Sequence, residues 1–460
     1  MRNQRLALII FTTVFCLNGI AQQKTGEVIF KDGDRVCFIG NSITNNGQFH
    51  NFIALYYATR FPAEKIQFFN CGISGDAAGN VIKRMDKDVL VNKPTWSLIK
   101  LGMNDVSRGL YNPFADTIQG IQEKRIAAVN NYKEKLEIII NTLLKNNSKV
   151  VLQKPSIYDQ TGALKAENHF GVNDALKECC RCIDELAAKY NLSTVDYWTI
   201  LNNVNHIVQK NDSTATIIGS DRVHPGTPGH FIMAYQFLKS TLTPGPVTNI
   251  TVNVSNAQNS CNNCEIKDDE TGRTHVIFSC KDESIPFPVK EEALQALTYV
   301  PFTDEFNRHI LQVSRLKKGN YDLLIDSMPA GRFTSKQLKN GVNLALLKQI
   351  PQYKQSEKLL SLFNQYLDTQ RETRTIRFVE YDFLKDSATG NLDADKKFLY
   401  KLLDSQYAQS QYRDYYRSQF DNYIESKPKE QALYDKMEDI SMQIHAIQPT
   451  FHQFEIIKVN

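Results

Sequence analysis

Five residues spread over the first half of the chain have the types and surroundings that acyl transfer requires. Ser42 lies in the stretch DRVCFIGNSITNNG, where the apolar run 36–39 stops at Gly40 and hands over to small polar residues. A serine placed there leaves a buried strand at a turn, with its hydroxyl open to a substrate. That hydroxyl is a weak nucleophile at its own pKa and needs a neighbouring base. Far downstream, GSDRVHPGTPGH sets Asp221 and His224 three residues apart. One turn can present both to the same side, the carboxylate holding one ring nitrogen and the other nitrogen facing a serine. A tetrahedral intermediate also needs hydrogen-bond donors. Gly75, in NCGISGD, offers a backbone N–H, and Asn104, in GMND, offers a side-chain amide.

Each of these residues also has an ordinary structural reading: a serine after a strand, a capping aspartate, a surface histidine, a turn glycine, an asparagine bonded to its own backbone. What joins them is position, because each falls just after an apolar run or in the last loop before a helix. His230, six residues beyond His224, falls within that helix and is assigned a structural role.

The elements that must position these residues follow from hydrophobic periodicity. Short apolar runs at 36–40, 66–72, 96–102, 150–154 and 192–197 alternate with helix-period segments near 49–60, 78–91, 117–145, 171–190 and 227–240. Strand and helix repeated in this way imply parallel strands covered by helices. Continuous apolar runs fit strands buried on both faces. In such sheets ligands bind beyond the carboxyl ends of the strands, which is where GNSIT, GISGDAAG and GMND lie.

At TPGPV, residues 243–247, two prolines and a glycine mark a linker. The expected organisation is a hydrolase domain over 25–244, a small β-rich domain over 247–349, and a helical C-terminal region over 350–460 with helices at 353–371, 393–425 and 429–447. The tyrosine and leucine residues of that last region recur at helical spacing and read as packing.

Four blocks in order, Gly40-Asn41-Ser42-Ile43, Gly75, Gly102-Met103-Asn104-Asp105 and Asp221-Arg222-Val223-His224, resemble the SGNH hydrolases, also called GDSL esterases, over roughly residues 30–242. The resemblance implies a flavodoxin-like α/β three-layer sandwich with a parallel five-stranded sheet. It implies Ser42 as nucleophile, His224 as base and Asp221 as its orienter, with an oxyanion hole from the Ser42 and Gly75 N–H groups and the Asn104 amide. It further implies a two-step reaction that calls for no metal or organic cofactor. One residue departs from the pattern: Asn41 stands where the family usually has aspartate. Asparagine keeps a hydrogen-bonded turn but loses the charge, and activity is expected to survive. The accessory regions resemble those of bacterial secreted carbohydrate esterases, including relatives of rhamnogalacturonan acetylesterase. This implies an acylated, in particular O-acetylated, poly- or oligosaccharide substrate. A lipid or aryl ester is the alternative, disfavoured by the absence of a long apolar insertion in the active-site loops. A glycan-binding protein that has lost turnover is a third reading, opposed by the intact set of residues.

The N-terminus supplies a compartment. Arg2 and Arg5 precede an apolar run over 6–20 and the small-residue pattern ending at Ala21, so residues 1–21 read as a cleaved secretory signal and the protein as exported, periplasmic or extracellular. The run is shorter than the roughly 20 residues of a membrane span, and no later segment approaches that length. The net charge of +4 over 460 residues selects neither nucleic acid nor an anionic membrane. Eight of the nine cysteines follow the leader. Cys37 and Cys71 read as small core hydrophobes and Cys179, Cys180 and Cys182 as helix packing, while a disulfide from Cys280 to Cys261 or Cys264 is favoured over a metal knuckle. Oligomeric state is left open.

Overall fold

The computed structural model describes residues 30–255, 258–387 and 390–459, so the expected leader lies outside the described residues. Five strands form a parallel sheet in the order β2-β1-β3-β4-β5: β1 (Arg35–Gly40), β2 (Gln67–Gly72), β3 (Trp96–Lys100), β4 (Lys149–Lys154) and β5 (Ser193–Asp196). This is the flavodoxin-like order, and its switch point, where ligands bind, falls between β1 and β3. The associated helices are α1 (Ser42–Asn46), α2 (Gln48–Arg60), α3 (Ala78–Arg84), α4 (Ile121–Lys145), α5 (Val172–Tyr190), α6 (Tyr197–Gln209) and α7 (Thr227–Thr241).

The apolar runs are continuous because each strand feeds two cores. Along β1, Val36 and Phe38 pack with α2, α6 and α7 on one face, and Cys37 and Ile39 pack with α3, α4 and α5 on the other. The result is the expected three-layer sandwich. Two local details differ from expectation. The helix predicted over 78–91 stops at Arg84 and continues as a wider π-helical turn, Met85–Val89, within which Asp88 is buried. In addition, α6 follows β5 directly, capped by the Asp196 side chain.

Beyond α7 the chain builds two further sheets from β6 (Thr248–Asn253), β7 (Gln258–Asn262), β8 (Cys264–Thr271), β9 (His275–Asp282), β10 (His309–Ser314), β11 (Asn320–Ile325), β12 (Met328–Thr334) and β13 (Val342–Asn343), with two short helices, α8 (Phe302–Phe306) and α9 (Ser335–Asn340). The C-terminal region then forms α10 (Pro351–Val379), α11 (Leu392–Asp404), α12 (Arg413–Ser426) and α13 (Glu430–Ala446). The helix expected over 393–425 is therefore two, broken across the polar stretch SQYAQSQY.

The region from 350 onward is not wholly helical. Its last element, β14 (Phe451–Lys458), lies between β11 and β9 in the sheet β12-β11-β14-β9-β8. Phe454 and Ile456 alternate with less buried neighbours and enter the same core as Phe278 and Leu323. The expected disulfide is also corrected. All eight described cysteines are free thiols. In the β8–β9 register Cys280 pairs with Ile266, its thiol meets that of Cys264 as a hydrogen-bond contact without a covalent link, and the Cys261 thiol donates to the Cys264 carbonyl at 2.9 Å.

Candidate active site

Ser42 is the first residue of α1, and Gly40 is the reason the chain can turn there. A Cβ on Gly40 would stand 2.2 Å from Thr44 Oγ1 and 2.6 Å from the Lys100 carbonyl, so α1 can fold back on the sheet only over a glycine. Asn41 caps α1: its side-chain oxygen accepts the Ile43 N–H at 3.2 Å, and the residue is buried. The cap needs an acceptor rather than a charge, and an amide oxygen supplies it.

The downstream partner is a tight turn ahead of α7. Asp221 Oδ1 accepts the backbone N–H groups of Val223 and His224, each at 3.0 Å, and its Oδ2 meets His224 Nδ1 at 2.5 Å. His224 Nε2 lies 2.7 Å from Ser42 Oγ, across 182 positions of sequence. Burial would raise the Asp221 carboxyl, but the His224 side chain and the two backbone N–H groups outweigh it and hold the group below the ordinary carboxylate range. It is therefore an anion at neutral pH. The turn is anchored by Arg222, which takes a positive φ of 66° and buries its guanidinium on the carbonyls of Asp159, Gly162, Leu164 and Ala166 at 2.9–3.0 Å. That role was not legible in the sequence, where Arg222 merely separates two chemically suggestive residues.

The donor side is built from the loops after β2 and β3. Gly75 has φ +88°, a conformation that favours glycine, and a Cβ there would meet nothing. Asn104 donates one amide hydrogen to the Asp76 carbonyl at 2.9 Å, which leaves the other free. Asp105 fastens this loop by accepting from Gly102 N at 2.8 Å and Ala78 N at 2.7 Å. Ser42, Gly75, Asn104, Asp221 and His224 all line one cavity of about 1560 Å³. His230 lines it too, on α7, with its ring stacked on Phe49; burial holds it neutral, down to about 3.

A buried ion network that sequence reasoning missed runs inward from the cavity lining, where Asp76 and Arg84 lie. Arg84 donates to Asp76 Oδ2 at 2.7 Å and to the Cys71 carbonyl at 2.9 Å, and also contacts Asp88. Arg374, from α10, completes it on Asp88. Burial raises Asp76 to about 7 against the pull of Arg84, and raises Asp382, which also lines the cavity, to about 6.

The C-terminal helices thus reach the site. Arg371 donates to the Asn46 carbonyl at 3.0 Å, fixing α10 on the end of α1. Tyr381, Tyr407, Tyr412, Tyr415 and Tyr416 complete the cavity wall. The aromatic residues read from spacing as packing therefore have a second surface.

Residues 38–232 match the sequence profile described as the GDSL-like lipase/acylhydrolase family. An acetylxylan esterase from Geobacillus stearothermophilus is 27% identical over 222 residues, which cover 45% of this chain and 93% of that enzyme. The solved structure of a gut microbial diltiazem-metabolizing enzyme is similar over 95% of this chain and 100% of its own, at 27% identity and a TM-score of 0.84. Its likeness therefore extends across the β-rich and helical regions as well. Over residues 38–232 the chain is a GDSL-like lipase/acylhydrolase (SGNH) domain, and the protein is a carboxylic ester hydrolase.

Proposed function

We propose that the protein is an exported serine esterase that removes O-acetyl groups from carbohydrate. The observation that carries the mechanism is the hydrogen-bonded chain from Ser42 Oγ through His224 to Asp221, at 2.7 and 2.5 Å, opening on a cavity shared with Gly75 and Asn104. In this reading His224 Nε2 takes the Ser42 proton as Oγ attacks the ester carbonyl. The oxyanion accepts from the Ser42 and Gly75 N–H groups and the free Asn104 hydrogen. Collapse passes the proton from His224 to the leaving alcohol. A water deprotonated by His224 then attacks the acyl-enzyme, releasing acetate and the serine hydroxyl.

Likeness to an acetylxylan esterase supports the acetylated carbohydrate, and Arg2, Arg5 and the apolar run after them support export. A second reading, hydrolysis of esters on bulky aromatic molecules, is favoured by the full-length likeness to the diltiazem-metabolizing enzyme. The test compares wild type with Ser42→Ala on 4-nitrophenyl acetate, a longer-chain aryl ester and acetylated oligosaccharides. Acetate release that disappears in the variant and is fastest from the oligosaccharides is the expected result. No serine-dependent release from any substrate sinks the mechanism, and release from aryl esters alone moves the substrate to the second reading.

A further inference from the structure

The cavity at Ser42 is much larger than an acetyl group needs. Pockets for drug-sized ligands measure roughly 300–1,000 Å³, and this one reaches about 1560 Å³. Much of the excess is bounded by residues far outside the family domain, which ends at residue 232. There, Tyr407, Tyr412, Tyr415 and Tyr416 form one contiguous aromatic surface: ring centroids lie 4.8 Å apart for Tyr407 and Tyr416, 5.7 Å for Tyr415 and Tyr416, and 6.2 Å for Tyr412 and Tyr416. Phe383 backs it from the core of the C-terminal helices, 5.2 Å from Tyr416 and 4.8 Å from the fully buried Phe420.

Packing explains the inner rings; of the outer two, Tyr415 also leans on Phe378, with ring centroids 6.3 Å apart, whereas Tyr412 has Tyr416 as its ring neighbour. Tyr412 is 52% exposed and Tyr415 44% exposed, although both line the cavity that holds the nucleophile. Aromatic surface left open beside a reactive serine marks a place for a ligand with a complementary face. The π face of a tyrosine is electron-rich and meets the weakly positive C–H groups on one face of a pyranose ring, while its hydroxyl remains a polar handle. The charged residues lining the cavity come in both signs, Lys83, Arg84, Lys87, Arg108 and Lys385 against Asp76, Glu167, Asp221, Glu380 and Asp382, so no single charge is selected. Such a surface suits a neutral, multi-ring ligand.

Resting on the esterase reading above, we infer that the Tyr407–Tyr412–Tyr415–Tyr416 shelf is a subsite for a neutral oligosaccharide of several pyranose units. The shelf holds the leaving-group chain while the acetyl-bearing sugar sits at Ser42. The C-terminal helices are then the substrate-selecting part of the enzyme, acting on a family domain that performs the chemistry.

The test uses the full chain with Tyr412→Ala, a residue on the cavity surface, and Tyr412→Trp, which keeps an aromatic face. The ratio of kcat/KM on acetylated xylo-oligosaccharides to that on 4-nitrophenyl acetate is expected to fall about tenfold in Tyr412→Ala, mostly through KM, and to be retained in Tyr412→Trp. Unesterified xylohexaose, cellohexaose and mannohexaose are assayed in parallel as inhibitors of 4-nitrophenyl acetate hydrolysis. At least one is expected to compete in wild type and to lose that effect in Tyr412→Ala. An unchanged ratio, or an aromatic ester as the only substrate class affected, overturns the subsite. If wild type deacetylates no glycan, the carbohydrate reading fails by itself, and the inhibition assay still decides the shelf: no competition by any of the three sugars overturns it.

Discussion

Arg374 on α10 donates to both oxygens of Asp88, at 2.7 and 2.8 Å, and to the carbonyl of Gly72, at 3.0 and 3.1 Å, although 286 positions separate it from Asp88. Gly72 ends β2, three residues before Gly75. Asp88 in turn meets Arg84, whose partner Asp76 offers its backbone carbonyl to the Asn104 amide. A helix outside the family domain is thereby connected, through four buried side chains, to two of the proposed oxyanion donors.

Removing Arg374 should disturb both stability and the site. Breaking one partner of a buried ion pair costs about 3–5 kcal/mol, so Arg374→Met should lower Tm sharply. Arg374→Lys should rescue little, because an ammonium cannot make the two-pronged contact. Thermal unfolding of the three proteins checks this, and full stability in Arg374→Met would contradict the network's role.

Asn104→Ala should leave substrate binding almost unchanged and lower kcat by about 100- to 1,000-fold, the ordinary loss for one oxyanion donor. Steady-state kinetics on 4-nitrophenyl acetate separate the two parameters. A change confined to KM would remove Asn104 from the oxyanion hole.

Asp221→Asn should retain the turn but lose the charge that orients and balances His224. The expected fall in kcat is about 10³- to 10⁴-fold, with a Tm near that of wild type, since the side chain stays half exposed. A variant with near-normal kcat would mean that His224 needs no orienter.

Asp76 should give stability an opposite pH slope from that of a salt-bridged surface carboxylate. Its ordinary value is 3.8, and burial lifts it to about 7 in the folded protein. Between those values the folded state holds a proton that the unfolded chain has released, so the Asp76 contribution weakens as pH rises from about 4 to 7. Asp76→Asn removes that slope. The Tm of the variant relative to wild type should therefore rise from pH 4.5 to pH 7.5 in buffers matched for ionic strength. A difference that stays flat or falls with pH would show Asp76 ionised throughout.

Legibility differed along the chain for physical reasons. Ser42, Gly75 and Asn104 were readable because each follows a strand whose burial on both faces forces an unbroken apolar run, and the chain must then turn. Asp221 and His224 were readable because their relation is local: one turn sets it. The break between α11 and α12 and the strand β14 were missed. In β14 the alternation of Phe454 and Ile456 is present, but its pairing partners, β9 and β11, lie more than a hundred residues earlier, and eight residues after a helix carry no local sign of them.

The sequence by itself therefore determined the candidate site: Ser42, His224 and Asp221 as residues to be brought together, and a parallel sheet able to bring strand ends together, because strand exits and tight turns are written in adjacent residues. Only the tertiary structure decided what surrounds that chemistry. Arg374 beneath the site and Tyr412 at its wall act through contacts across hundreds of positions, where burial and charge pairing depend on neighbours that no local pattern names.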